Sequence, residues 1–520
     1  MHFTTHDQLL LLALLAVLAA LLIAAPKLRI PYPIFLVLGG LALGFVPGIP
    51  SLSLPPDVVL VAVLPPLLYL SAYRTSLREL RANAQAIVIL AVGLVVATTV
   101  SVALVAHAWV DNMSWAAAFT LGAVVAPTDP IAATAIMRRL GVPRRLVSII
   151  ESESLVNDGT ALVLFRVAVI AAVSGNFSIW DVSWRFAWAV VGGVAIGLVV
   201  GFVVAETRRR IDNPPVEVTI SLMTGYFAFI PAQAVSASGV IAVVTAGVYL
   251  GWRTPELTSV ESRLQGEALW TVVSFVLNAL VFALVGLQLS RILDTLTGRS
   301  AGELTWYALL VTGTVILTRV IWVPIFSVRR GHRKPITHTF LLSWAGLRGA
   351  VSLAAALAIP LATDVGRGFP ERDLIIFLTF CVILGTLVVQ GLSLPALIKA
   401  MRLQPDASEE REDAEARIRA AEAAIARLDE LAGEDWVRDD TAERMRGLYN
   451  FRRNRFSSRF DEASDGAIEE QSQAYQRLRR ELLDAERAAV TELGRSGAIS
   501  GDVVLRVRRD LDLEDARLDV

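Results

Sequence analysis

Long apolar runs fill about the first 400 residues of this 520-residue chain. Each run has roughly 18–25 residues, enough for a helix to cross about 30 Å of hydrocarbon. Thirteen runs can be counted, and they start near residues 8, 31, 57, 84, 114, 147, 184, 216, 236, 267, 304, 336 and 372. The third, eighth and ninth runs are short or weak, so twelve spans are an alternative. The pattern predicts an all-α polytopic membrane protein.

Basic residues cluster in alternate loops between these runs. The clusters are Lys27/Arg29, Arg74/Arg78/Arg81, Arg138/Arg139/Arg144/Arg145, Arg208–Arg210, Arg253/Arg263 and Arg329/Arg330/Arg333/Lys334. The intervening loops hold few basic residues, with weaker exceptions at Arg291/Arg299 and Arg367/Arg372. The positive-inside rule therefore predicts an external N-terminus, a cytoplasmic C-terminus and an odd number of spans in the cell membrane.

The composition changes abruptly after Ile398. Residues 403–520 are rich in Arg, Glu, Asp and Ala and contain no hydrophobic span. Segments 414–431 and 473–493 show helical apolar spacing. We therefore expect a transmembrane domain at 1–402 and a cytoplasmic, charged helical domain at 403–520. This tail is expected to be a solvated, locally self-associating appendage, with a dedicated ligand sensor as the alternative.

The overall composition agrees with the membrane class, since 54% of the residues are hydrophobic and the mean hydropathy is +0.57. The net charge of −1 gives no case for nucleic-acid binding. A single cysteine, Cys381, excludes an intrachain disulfide and a cysteine metal cluster. The five histidines lie at or near loops and form no cluster with it. Neither enzymatic activity nor a cofactor is expected.

The first apolar run, residues 9–25, lacks the features of a secretory signal. No basic region precedes it, and no small-residue cleavage site follows it. We therefore expect it to be retained as the first span.

The fifth run contains the sequence Ala126-Pro-Thr-Asp-Pro130. Each proline removes a backbone donor and disfavours helix at the residue before it. Carbonyl groups beside Thr128 and Asp129 should therefore lack helical partners. Such a break within the membrane is tolerated only where it is buried in protein or lines a cavity.

The sixth run carries Glu151, Glu153, Asn157 and Asp158 close together. An acidic residue near the centre of a membrane helix costs about 2.5–3.5 kcal/mol on insertion scales. On a helix, Ser154 shares a face with Asp158, whereas Glu153 shares a different face with Asn157. The spacing predicts that Asp158 faces a cavity while Glu153 turns towards a neighbouring helix.

Two arginines interrupt later runs, Arg319 in the eleventh and Arg348 in the twelfth. A buried arginine stays charged and needs a carboxylate or free carbonyl groups. Gly346 and Gly349 flank Arg348 and allow an unwound backbone there. Spans five and twelve are thus both predicted to be discontinuous, which indicates two inverted-topology halves formed by spans 1–6 and 8–13. The two halves show no clear residue-level repeat.

These motifs together resemble a known family. Thr128-Asp129-Pro130, Glu153-Ser154 with Asn157-Asp158, and Gly346-Leu-Arg-Gly-Ala350 are similar to motifs of the monovalent cation–proton antiporters of the NhaP/NHE type. Leu64-Pro-Pro-Leu-Leu-Tyr69 resembles the third-span motif of bacterial members. The likeness covers about residues 5–400. It implies a thirteen-span homodimer in which a core domain moves against a dimerisation domain.

The resemblance also implies an ion site. Asp158 would bind the cation and the proton in competition, and Asp129, the Thr128 backbone oxygen and Ser154 would complete the oxygen shell. Two alternatives stay open from the residues themselves. Asp129 could cap a half-helix, and Asp158 could be the structural partner of an arginine.

Supporting residues follow from the same resemblance. Glu153 would form a structural ion pair with Arg319, helped by Asn157. Arg348 would stabilise the unwound twelfth span, with a gating role as the alternative. Some archaeal members carry a glutamate where this chain has Leu70, so their ion preference does not transfer.

The implied activity is exchange of a monovalent cation for H⁺. We expect Na⁺ as the cation, with K⁺ and Li⁺ as alternatives. Family members with Asn before the key Asp are electroneutral, and Asn157 therefore implies one cation per proton. The rival hypothesis is a cation channel, or a membrane sensor that signals through its tail. A channel needs a continuous pore and selectivity rings, and no repeated segment in the sequence supplies them.

Overall fold

The computed structural model describes residues 16–17, 19–25, 27, 31–46, 58–174, 179–294, 296, 298–328, 336–363, 367–402, 407–458 and 467–516. Their regular structure is helical, apart from one isolated antiparallel bridge between Ala362 and Gly368. The all-α prediction is confirmed for these residues. The chain divides into two compact units, Met1–Pro405 and Asp406–Val520.

The first unit contains sixteen named α-helices. They are α1 Tyr32–Gly44, α2 Leu64–Arg74, α3 Leu77–Val88, α4 Leu94–Trp109, α5 Trp115–Val125, α6 Pro130–Arg139, α7 Arg144–Ser174, α8 Ile179–Arg209, α9 Pro214–Ala234, α10 Gly239–Leu257, α11 Val260–Asp294, α12 Ala301–Val328, α13 Ile336–Trp344, α14 Ala350–Leu357, α15 Arg372–Thr386 and α16 Leu392–Met401. Short π-helical segments precede α2, join α3 to α4 and join α15 to α16, at Val58–Val63, Ile89–Gly93 and Leu387–Gly391.

Eight helical stretches among the described residues are long and apolar enough to cross a membrane. They are Ala84–Trp109, Trp115–Arg139, Arg144–Ser174, Ser183–Arg209, Pro214–Ala234, Val260–Leu287, Ala301–Phe326 and Arg372–Met401. Runs two to thirteen of the sequence each coincide with a helix, but α1, α2, α10, α13 and α14 are shorter. The eighth run, expected to be weak, is the 21-residue helix α9, which continues through Pro231.

Some parts of the sequence-based prediction lie outside the described residues. These are most of the first run, Arg29, and the basic cluster at 329–334. The count of thirteen spans and the inverted halves therefore stay predictions.

Buried apolar side chains form two main clusters in the first unit. The larger one draws on α1, α4 to α7, α11 to α13 and α14 to α16, and includes Phe165, Phe282 and Ile359. The smaller one draws on α2 and α8 to α11, and includes Val204 and Leu250. The helices are apolar almost all round, as expected for helices that contact protein on one side and lipid on the other.

Arg299 and Arg372 lie in the two loops that depart from the alternating pattern of basic loops, and both arginines have hydrogen-bond partners in the first unit. Arg299 donates to Glu371 Oε2 at 2.8 Å. Arg372 donates through Nε to the Ile359 carbonyl at 2.9 Å and through Nη2 to the Leu357 carbonyl at 3.1 Å, at the end of α14. Carbonyls at a helix C-terminus lack intrahelical partners and favour such a cation. Arg299 and Arg372 therefore have structural roles that explain why they stand in loops with few basic residues.

The second unit consists of α17 Ala407–Leu431, α18 Asp439–Ser458, α19 Ala467–Arg495 and α20 Gly501–Ala516. An Arg446–Asp429 ion pair links α18 to α17. Arg487 on α19 pairs with Asp512 and Asp515 on α20, each at 2.9 Å. The hydrogen bonds that Arg487 donates to Asp515 and Asp484 raise its pKa by stabilising its charged form. The predicted helical tail is present, and its cytoplasmic location stays a prediction.

Candidate cation-binding site

Two interrupted helices meet in the first unit. Helices α5 and α6 are separated by residues 126–129, and α13 and α14 by residues 345–349. The Asp129 backbone N–H donates to the Leu347 carbonyl at 2.8 Å, so the two non-helical segments contact each other directly. Pro130 begins α6, where its missing N–H costs no helical hydrogen bond. Both predicted interruptions are confirmed.

The Asp129 side chain lies at the start of both following half-helices. Its Oδ1 accepts from the Ile131 N–H at 2.9 Å, which caps α6. Its Oδ2 lies against Gly349, directly before the first residue of α14. A carboxylate is favourable there because unpaired N–H groups and the helix dipole make a helix N-terminus positive. The capping interpretation of Asp129 thus describes its geometry, and its role in binding an ion stays a prediction.

Two glycines allow the close approach of these segments. A Cβ atom on Gly349 would lie 1.8 Å from Asp129 Oδ2. A Cβ atom on Gly346 would lie 2.3 Å from Arg319 Cδ. Real Cβ atoms do not come so near another heavy atom, so any larger residue would displace a charged side chain of the site.

We expect Gly349→Ala to destabilise the protein by about 1–3 kcal/mol or more, because the added methyl group would clash with the Asp129 carboxylate. It should also lower exchange activity, since Asp129 must move. Gly313→Ala on α12 is the matched control, because no atom lies within 4 Å of its added Cβ. Thermal unfolding of the purified variants measures the difference. Equal unfolding temperatures for the two variants would contradict the described contact.

Thr128 is the centre of a hydrogen-bonded group that joins the first interruption to α7. Ser154 Oγ donates to the Thr128 carbonyl at 2.8 Å. Asn157 Nδ2 donates to Thr128 Oγ1 at 2.6 Å, and this hydroxyl in turn donates to Glu153 Oε1 at 3.3 Å. Both predicted faces of α7 therefore reach Thr128. The family resemblance implied a role for its backbone oxygen only.

Asp158 is buried with 5% of its surface exposed. It lies near enough to Asp129 for the two carboxylates to interact electrostatically. Among the described residues, no arginine or lysine forms an ion pair with Asp158, whereas Glu153 pairs with Arg319. The alternative role of Asp158 as the structural partner of an arginine has no counterpart in this geometry.

Glu153 and Arg319 form a two-pronged ion pair in the interior. The Nη1–Oε1 distance is 2.5 Å and the Nη2–Oε2 distance is 2.9 Å, with each side chain only 1% exposed. Arg319 also donates through Nε and Nη2 to the Leu342 carbonyl, at 3.1 and 3.0 Å. Most of the polar atoms of the pair are therefore satisfied, as a buried ion pair requires.

Arg348 contacts carbonyl groups freed by the two interruptions. Its Nε donates to the Val125 carbonyl at 3.0 Å, and its Nη1 donates to the Gly346 carbonyl. Its backbone N–H donates to Thr386 Oγ1 at 3.1 Å. These contacts join the end of α5 to the unwound segment before α14. They fit the predicted supporting role and show which carbonyl groups the arginine satisfies.

Several residues near this site gave no signal in the sequence. Tyr32, at the start of α1, interacts electrostatically with Asp129. Thr386 accepts a hydrogen bond from the Arg348 backbone N–H, although a threonine within an apolar run indicates nothing by itself.

Leu70 is 7% exposed and packs in the smaller apolar cluster. At that position, α2 therefore supplies a packing side chain in place of a carboxylate.

The chemistry of this site is that of oxygen atoms. Asp158, Asp129, Thr128 and Ser154 offer carboxylate, carbonyl and hydroxyl oxygens, the ligands that hard cations take. In the described part of the chain, no three His, Cys, Asp or Glu side chains are grouped as a multivalent metal site would need. Two neighbouring buried carboxylates, neither paired with a basic side chain among the described residues, suit a cation or a proton.

The sequence of this chain matches a known protein family. Residues 12–400 match the family described as sodium/hydrogen exchanger, transmembrane. The chain belongs to this family. The exchanger is thus a multi-pass membrane protein, in agreement with its apolar helices.

The similarity to known proteins extends beyond residues 12–400. An uncharacterized Na⁺/H⁺ exchanger of Mycobacterium tuberculosis is 37% identical over 98% of this chain and 95% of its own length. The sodium, potassium, lithium and rubidium/H⁺ antiporter of Bacillus subtilis is 32% identical over 71% of this chain and 58% of its own. The solved structure of a sodium proton antiporter from Methanocaldococcus jannaschii shares the fold, with a TM-score of 0.63, 21% identity, and coverage of 76% of this chain and 98% of that chain.

Proposed function

We propose that this exchanger is a secondary active antiporter that moves a monovalent cation and H⁺ in opposite directions across the cell membrane. The observation that carries the proposal is Asp158, a buried carboxylate with no basic partner among the described residues, beside a second carboxylate where two interrupted helices meet. A buried, uncompensated charge is unfavourable by several kcal/mol. Asp158 is therefore expected to hold either a cation or a proton, and never to be bare when it is shut off from water.

The proposed cation shell consists of Asp158, Asp129, the Thr128 carbonyl and Ser154 Oγ. Ser154 already contacts the Thr128 carbonyl at 2.8 Å, so these two oxygens are side by side before any ion arrives. Asp129 is held by the Ile131 N–H at the start of α6 and packs against Gly349 before α14. The shell is thus largely fixed in place, and protonation of Asp158 is the chemical change that releases the ion.

Exchange then follows from competition at one site. The cation binds when Asp158 is deprotonated, and a proton replaces it on the other side of the membrane. Glu153, Arg319, Asn157 and Arg348 keep the interrupted segments in position and do not bind the ion. The proposal makes the chain a transporter and not an enzyme, with no cofactor needed.

We further propose thirteen spans in two inverted-topology halves, an external N-terminus and a cytoplasmic tail. Support comes from helices at the positions of runs two to thirteen and from the interruptions in the fifth and twelfth of them. A homodimer in lipid, with a moving core domain, is proposed from the resemblance described above. Na⁺ is the proposed cation, because the family and the M. tuberculosis relative are named for Na⁺/H⁺ exchange. The name of the B. subtilis relative keeps K⁺ and Li⁺ as alternatives.

Proton movement driven by a cation gradient tests the proposed function. The purified protein is reconstituted in vesicles that contain a pH-sensitive dye, and Na⁺, K⁺, Li⁺ or choline is added outside. The proposal predicts proton efflux with at least one alkali cation and none with choline. Alkali-cation entry without proton movement would contradict antiport and favour a channel.

We expect transport to be electroneutral, because family members with Asn before the key Asp are electroneutral and this chain has Asn157 before Asp158. Clamping the vesicle potential with valinomycin at different K⁺ ratios should leave the rate of Na⁺-driven proton flux unchanged. An Asn157→Asp variant provides the comparison, because a second acidic group there could carry a further proton. A reproducible dependence of the wild-type rate on membrane potential would contradict a ratio of one to one.

A further inference from the structure

A cavity of about 610 Å³ lies apart from the cation site, towards the other end of α7. Arg166, on its wall, follows Asp158 by eight residues, which is about 12 Å along a helix at about 1.5 Å per residue. The walls come from α7, the first half of α8, the turn after α9 at Ser236, and the segment after α14 at Ala358 and Pro360. In the proposed orientation this cavity is in the outer half of the membrane.

The charge of this cavity is positive. Arg166 and Arg185 line it from α7 and α8, and no acidic side chain does so among the residues whose side chains the structure describes. Arg166 makes one long contact, from Nη1 to the Ala237 carbonyl at 3.5 Å. Neither arginine forms an ion pair with a carboxylate among the described residues. Two uncompensated guanidinium groups at one cavity favour an anion with several oxygens, such as a phosphate.

The remaining lining is apolar and aromatic. Trp184 and Trp188 stand at α8, with Trp184 70% exposed, and the Trp188 indole N–H donates to the Val235 carbonyl at 3.0 Å. Val163, Val167 and Ile170 supply an aliphatic wall on α7. Tryptophan is enriched where the bilayer meets water, with its ring at the level of the lipid headgroups. A free phosphate ion would leave these apolar surfaces unused.

We propose that this cavity binds an anionic membrane phospholipid, with its phosphate group between Arg166 and Arg185 and its acyl chains along the aliphatic wall of α7. The volume suits a headgroup with its glycerol unit, since ligand cavities of about 300–1,000 Å³ hold molecules of that size. The two tryptophans flank the headgroup at the interface.

Such a lipid would lie between helices that belong to the two buried apolar clusters of the first unit. Phe165 on α7 and Ile359 beside Pro360 belong to the larger cluster, whereas α8 packs in the smaller one. A lipid held by Arg166 on one side and Arg185 on the other would couple these parts. If they move against each other during transport, which rests on the function proposed above, the bound lipid changes the transport rate.

Lipid retention by the full-length protein tests this inference without any transport assay. The protein is purified in detergent, mixed with phosphatidylglycerol, phosphatidylcholine or inorganic phosphate, and examined by native mass spectrometry. We expect phosphatidylglycerol to bind in preference to the other two. Arg166→Gln/Arg185→Gln should lower this binding at least about tenfold, because charge-assisted hydrogen bonds to the phosphate are lost.

The control is Arg209→Gln, which removes an exposed arginine at the opposite end of α8. It should retain phosphatidylglycerol as the wild type does. Arg185 is exposed, so Arg185→Gln alone serves if the double variant does not fold. Equal retention by the Arg166/Arg185 variants and the control would overturn the proposal. Inorganic phosphate that binds as tightly as the lipid would also overturn it.

A transport assay then separates this inference from the proposed function. Wild-type vesicles with phosphatidylglycerol should exchange at a different rate from vesicles of phosphatidylcholine alone, and the Arg185→Gln variant should lose this difference. Lipid binding in a protein that moves no cation would leave the site in place and contradict only the antiport. Exchange by a protein whose lipid binding does not depend on Arg166 and Arg185 would contradict the lipid site and leave the antiport in place.

Discussion

Replacing Asp158 by asparagine is expected to abolish cation-driven proton flux while the protein still folds. The amide keeps the size of the carboxylate but can neither carry the charge that attracts the cation nor bind and release a proton. Since no cation pairs with Asp158 among the described residues, the substitution leaves no buried arginine unpaired. The stability of the variant should therefore equal or exceed that of the wild type.

Glu151→Gln is the matched control for this variant. Glu151 lies two turns earlier on α7, is 33% exposed and pairs with Arg138 at 2.7 Å. An exposed pair of this kind contributes at most about 1 kcal/mol, so exchange should persist. Dye-loaded vesicles with an imposed Na⁺ or K⁺ gradient give both rates. Exchange by Asp158→Asn at the level of Glu151→Gln would refute the proposed role of Asp158.

Replacing Glu153 by glutamine is expected to destabilise the protein by about 3–5 kcal/mol, the usual result of breaking a buried ion pair from one side. The guanidinium of Arg319 is 1% exposed and would keep only the Leu342 carbonyl as a strong partner. Thermal unfolding in detergent should show the loss. The double variant Glu153→Leu/Arg319→Leu should recover much of it, because neither buried charge remains.

The comparison for Glu153 is Glu206→Gln, which breaks an exposed pair with Arg210 at the end of α8. Its effect on stability should stay within about 1 kcal/mol. A Glu153→Gln protein as stable as wild type, but unable to bind the transported cation, would show that Glu153 belongs to the ion site. Glu153 would then be assigned to the ion site with Asp158 and not to a structural ion pair with Arg319.

The sequence predicted those features that depend on backbone chemistry or on the cost of a charge in the membrane. Pro127 and Pro130 predicted the first interruption, and Gly346 and Gly349 the second, because each residue type restricts or frees the backbone locally. A buried arginine demands a carboxylate or free carbonyl groups, so the position of Arg319 within an apolar run already indicated a buried partner. The particular choice of Glu153 came from the family resemblance.

Other features of the site depend on which segments meet, and a single sequence does not contain that information. The Asp129 carboxylate caps α6 and packs against Gly349 before α14, although Gly349 is more than two hundred residues away. Thr128 bonds through its side chain to both Glu153 and Asn157, which helical spacing on α7 alone had assigned to a face away from the ion. The third run, expected to be short or weak, contains only the 11-residue α-helix α2.

The central claim is that one carboxylate serves the cation and the proton in turn, and the pH dependence of the apparent KM for Na⁺ tests it most directly. If the two ions compete for Asp158, acidification should raise this KM, approaching about tenfold per pH unit, while the maximal rate at saturating Na⁺ changes little. The rates should be measured in proteoliposomes with equal pH inside and outside at the start. A KM that stays constant over the acidic range while the maximal rate falls would contradict competition at a single site.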